Sequence, residues 1–143
     1  MNSIEMLDTL QKAFNEMDLF CDRPNPDVVT FFSRVLGRTF KGQAFSKANE
    51  FLRIELWLNL YGDTVNYESV KENIKLAKDL LKNGNKTDIS QRMGYGVNEE
   101  NHHFVVLADI KTDGDGNVSV EQCKEDYQQM VRYVASHLMI IFS

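Results

Sequence analysis

Along residues 2–19 the apolar side chains Ile4, Leu7, Leu10, Phe14 and Met17 recur at spacings of three and four. That spacing predicts a helix with one apolar stripe. Asn2 is placed to cap its N-terminus, and Glu5 stands at the reciprocal position of a capping box. A different period governs residues 52–60. There Leu52, Ile54, Leu56, Leu58 and Leu60 alternate with Arg53, Glu55, Trp57 and Asn59, the pattern of a strand with one buried face. Gly62-Asp63 is expected to end that strand.

Helical spacing returns over 66–83, where Tyr67, Val70, Ile74, Ala77 and Leu81 share a stripe and Asn83-Gly84 supplies a left-handed stop. Two strands are expected next, at 88–97 and 102–111, joined by the polar turn Asn98-Glu99-Glu100-Asn101. In the second, Phe104, Val106, Ala108 and Ile110 fall on one face. After a turn at Asp113-Gly114-Asp115-Gly116, Ser119 and Gln122 form a capping box, with Val118 stapled against Cys123. The last helix then carries Cys123, Tyr127, Met130, Val134, Leu138 and Ile141 on one long stripe.

Residues 21–50 give a mixed signal. Asn25-Pro26-Asp27 reads as a helix start. The run VVTFFSRV is β-branched and aromatic, however, and Gly37 and Gly42 interrupt the segment GRTFKGQAF after it, so two strands are expected here. The order becomes helix, three strands, helix, two strands, helix. Neighbouring strands without strict βα alternation predict a single α+β domain over 1–143, an antiparallel sheet of about five strands with three helices packed on it.

A chain of 143 residues with 43% apolar and 26% charged side chains suits one such core. The net charge of −5 is spread along the chain, and no Lys/Arg cluster marks a nucleic-acid partner. The longest apolar run, Leu138 to Phe142, is far too short to span a bilayer, and the N-terminus lacks the features of a secretory signal. Two cysteines, Cys21 and Cys123, fit a reducing compartment and are also compatible with a disulfide. Cytoplasm is the expected location.

Candidate chemistry is sparse. In KTDGDGNVSVEQ, residues 111–122, the residues Asp113, Asp115, Gly116, Asn117 and Val118 match positions of an EF-hand calcium loop. Lys111 and Gln122 replace its first and last acidic ligands, and a turn before a capped helix explains the same residues. His102 and His103 begin a strand and point to opposite faces. His137 lies beside the apolar stripe of the last helix. Neither cysteine has an activating neighbour, and Gly94-Tyr95-Gly96 lacks the lysine and helix of a phosphate loop. No catalytic residue, metal ligand or cofactor is assigned. Trp57, opposite the leucines of its strand, packs under a helix, covers a neighbouring strand or faces a partner.

The element order, together with KDLLKNGNKTDISQRMGYGVNEENHHFVVLADIKTDGDGNVSVEQCKEDYQQMVRYVASHL, resembles the class I type III secretion chaperones of the Tir-chaperone type. The likeness lies in the helix 66–83 with its Asn-rich end, the hairpin through HHFVVLADI and the amphipathic last helix. It implies an α-β-β-β-α-β-β-α plan and a cytosolic homodimer that presents apolar strand surface to an unfolded segment of a secreted protein. The expected function is therefore a non-enzymatic, acidic chaperone or adaptor. Its expected partner-binding residues are Tyr67, Val70, Ile74, Leu81 and Trp57, with helix 66–83 and strand 102–111 forming the dimer interface. A toxin-immunity or phage-assembly protein and a degenerate calcium-binding protein are the alternatives, and an enzyme site built from scattered residues is a further one.

Overall fold

Alternating burial along each strand builds a six-stranded antiparallel sheet in the order β1-β2-β3-β4-β6-β5. The computed structural model describes residues 1–61, 64–83 and 88–143. Its elements are α1 (Ser3–Glu16), β1 (Cys21–Asn25), β2 (Val28–Val35), β3 (Arg38–Lys47), β4 (Phe51–Asn59), α2 (Tyr67–Lys82), β5 (Met93–Asn98), β6 (His103–Asp109) and α3 (Val120–Ile141), with a 3-10 turn at Ile89–Arg92. The α+β class and the three helices agree with the sequence pattern. The expected stops at Gly62-Asp63 and Gly84 lie outside the described residues.

The correction is one more strand than the expected three before the second helix. β1 carries Asp22, Arg23 and Pro24 at the sheet edge, where proline and charge are tolerated because one backbone edge faces solvent. The Asn25-Pro26-Asp27 segment turns the β1–β2 hairpin instead of starting a helix, and the Asp27 amide donates to the Asn25 side chain. Arg23 fastens β1 to α1 by donating to Asp8 and Gln11. Leu36 and Gly37 both take positive φ in the two-residue β2–β3 turn, the backbone that matches strand twist.

Core residues come from one face of each of β2 to β6, and β1 adds the half-buried Cys21. Ile54, Leu56 and Leu58 of β4 pair in register with Ala108, Val106 and Phe104 of β6, and all of these and Leu52 are buried. The helices cover this face only, with α3 lying between α1 and α2. On α1 the buried set is Met6, Leu7, Leu10, Ala13 and Phe14, so the expected stripe is rotated. Ile4 is 46% exposed and Met6 takes its place. Met17 is half-buried beyond the helix end. The capping box at Asn2 and Glu5 forms as expected. Ser119 caps α3, but the Gln122 side chain donates to Asp126 rather than completing a box.

Gly42 is dictated by this core. A Cβ there would lie 2.4 Å from the ring of Phe31, which is held edge-on by Phe14 and Tyr127. Only glycine lets that aromatic cluster close against β3.

Candidate partner-binding face

Because the three helices cover one face, no helix or strand among the described residues lies over the other face of the sheet. Register places its side chains in rows. One runs Phe32–Lys41–Trp57–Val105 and ends at Gly96. The next runs Thr30–Gln43–Glu55–Leu107 and ends at Gly94, with Asp22 beside Thr30. β5 therefore presents two glycines on this face, and a Cβ at either would meet open space. Val105, Leu107 and Trp57 are half-buried by their neighbours.

Phe20 and Phe32 are 78% and 62% exposed. Large aromatics so open to water are informative in a way that a single exposed leucine is not. They and Trp57 wall an apolar cleft of about 290 Å³, with Lys41, Gln43 and Asp22 at its margin. Trp57 is supported from one side by His103, whose ring stacks at 6.2 Å with planes 9° apart. Arg53 and Asp109 form a two-bond pair on the same face, at 2.8 and 3.2 Å. Bonding to Asp109 raises the Arg53 pKa further.

Of the sequence-expected partner residues, Trp57 alone belongs to this face. Val70, Ile74 and Leu81 are 4%, 5% and 2% exposed, because α2 turns that stripe onto the sheet. Their burial within one chain leaves them nothing to offer a partner. Tyr67 is half-buried, with its hydroxyl 2.8 Å from His102 Nδ1. β6 is paired on both edges, to β4 and β5, so strand 102–111 has no free edge for a second copy, and its Val105 and Leu107 lie on the open face. The outward side of α2 instead shows Leu76 and Leu80.

The residues singled out for chemistry have structural partners. His137 is buried with its Nδ1 2.7 Å from the Tyr95 hydroxyl, and burial lowers its pKa. Burial raises that of Tyr95. The Cys123 thiol is pushed up to about 12 by burial, which keeps it protonated and unreactive. Cys21 and Cys123 are both free thiols. At the 111–122 loop, Asp113 accepts from the amides of Asp115 and Asn117, and these bonds lower its pKa. A strand, not a helix, precedes that loop. Among the described residues no cluster of three His, Cys, Asp or Glu side chains could hold a metal ion, and no helix is long and apolar enough to cross a membrane.

Phe20 and Phe32 were missed by sequence reasoning, although a signal existed. Phe31 and Phe32 are adjacent in one strand, so one of them must point away from the core. No protein-family model matches the chain, and no curated protein or solved structure matches it.

Proposed function

We propose that this domain is a non-enzymatic protein-binding module, a small chaperone or adaptor that holds a partner polypeptide against its open sheet face. The observation that carries this reading is the pair of exposed aromatics, Phe20 and Phe32, flanking a cleft on a sheet face that no described helix covers. An apolar patch rimmed by polar residues is the usual signature of a protein-interaction surface. Resemblance to the secretion chaperones in the sequence points the same way. Capture from the native lysate by wild-type protein and by Phe32→Ser, with mass spectrometry of what co-purifies, tests it. One or more proteins should be retained by wild type and lost from the variant at unchanged melting temperature. Identical capture profiles would contradict the reading.

The same reading includes a homodimer. Leu76 and Leu80 are exposed on α2, and a two-fold pairing of that helix side would bury both leucines. Light scattering at low micromolar concentration should give about twice the 16.5 kDa chain mass, and Leu76→Glu/Leu80→Glu should return it to 16.5 kDa. A wild-type mass of one chain would remove the dimer.

A further inference from the structure

Resting on the binding reading above, we infer that the cleft walled by Phe20, Phe32 and Trp57 takes an acidic–apolar segment of the partner, one apolar side chain inserted with a carboxylate beside it. Lys41 carries the inference. It is the direct cross-strand neighbour of both Phe32 and Trp57, on the same face. A side chain seated between those rings would therefore bring its flanking residues within reach of the Lys41 ammonium. The cleft volume of about 290 Å³ suits one large side chain more than a cofactor-sized ligand.

The charge of the face supports an acidic occupant. Register places the cations Arg34, Lys41, Lys47 and Arg53 on it against the anions Asp22, Glu55 and Asp109. This face is thus slightly positive on a chain whose net charge is −5. Pairing sharpens the contrast. Among the described residues, Asp109 is engaged by Arg53 and Glu55 accepts from Gln43, which leaves Asp22 as the one anion of the three without an ion pair or side-chain hydrogen bond, whereas Arg34, Lys41 and Lys47 make no ion pair. A carboxylate arriving beside Lys41 breaks no ion pair among the described residues, and it meets Lys41 on the side of the cleft away from Asp22, which pairs with Thr30 two positions along β2 from Phe32. Complementary charge of this kind chooses between partners more than it adds raw affinity.

Trp57 is the single tryptophan of the chain, so its emission reports directly on the cleft. The probes are three acetylated, amidated octapeptides with Gly/Ser flanks around a Phe-Glu, a Phe-Lys or an Ala-Glu pair. The Phe-Glu peptide should shift Trp57 emission and bind about tenfold more tightly than Phe-Lys at low salt, with Ala-Glu giving no shift. Lys41→Glu, checked for an unchanged melting temperature, should invert the order of the first two. Equal binding of Phe-Glu and Phe-Lys would overturn the acidic requirement while leaving the binding face intact. No emission change with any peptide at millimolar concentration would overturn the cleft as a docking site, and the Phe32→Ser capture comparison would then judge the wider reading separately. A shift produced by raising protein concentration alone would assign the cleft to a second copy and also overturn the inference.

Discussion

Replacing Arg92 by alanine is expected to destabilise the fold by about 3–5 kcal/mol, the cost of leaving a buried carboxylate without its counter-charge. Arg92 closes the 3-10 turn and reaches two other elements. Its Nη1 donates to the Asp109 carbonyl at 2.7 Å and to Asp126 at 2.9 Å, and its Nη2 donates to the second Asp126 oxygen at 3.2 Å. Asp126 lies on α3 and is 3% exposed. It also accepts from the Lys111 amide at 2.8 Å and the Gln122 side chain at 2.9 Å. These two remaining donors place the expected cost toward the lower end of the range. The pair joins the end of β6, the turn before β5 and the first half of α3, so its loss should loosen all three. Arg92→Met with Asp126→Leu should recover much of the stability, since the desolvation of both charges disappears with the charges. Denaturant melts of the single and double variants measure this. An Arg92→Ala variant within about 0.5 kcal/mol of wild type would mean that Asp126 is solvated by other means.

The second large effect lies in the middle of the sheet. Leu56→Ala should cost about 2–5 kcal/mol, because the side chain is fully buried and its neighbours cannot collapse into the space it leaves. Arg53→Ala, three residues away on the open face, should cost under about 1 kcal/mol, since its pair with Asp109 is partly exposed on both sides. The contrast between the two is the measurement. Equal losses would mean that the open face is covered, and would count against a free binding surface.

What could be read from the sequence tracked the strength of each hydrophobic pattern. Leu52 to Leu60 alternate without a break, and every one of those leucines and Ile54 is in the core. The last helix behaves likewise, from Cys123 to Ile141. β1 was invisible because an edge strand needs little apolar surface, and Cys21 is its single apolar residue. On α1 the spacing was right but the orientation was off by part of a turn. Met6 and Ala13 complete a stripe that meets both the sheet and α3, leaving Ile4 outside. Period alone does not say how wide a stripe the neighbouring layers will cover.

The candidate site was less legible for a related reason. The stripe Tyr67, Val70, Ile74, Leu81 is the most regular apolar feature of α2, and regularity signals the face that the protein buries for itself. What is left exposed includes Leu76, Leu80, Phe20 and Phe32, none of them on that stripe. Of the expected set, Trp57 was placed correctly on the face opposite the leucines, because strand alternation fixes that face without any knowledge of the third dimension. Phe20 lies outside any strand, so no periodicity assigned it a side.

Acrylamide quenching of Trp57 fluorescence, in the free protein and in complex with the captured partner, tests most directly that the open sheet face is where a polypeptide binds. Binding on that face predicts a quenching constant that falls severalfold on complex formation, together with a blue shift of the emission. An unchanged constant in a complex shown to be fully formed would place the partner elsewhere and contradict the central claim.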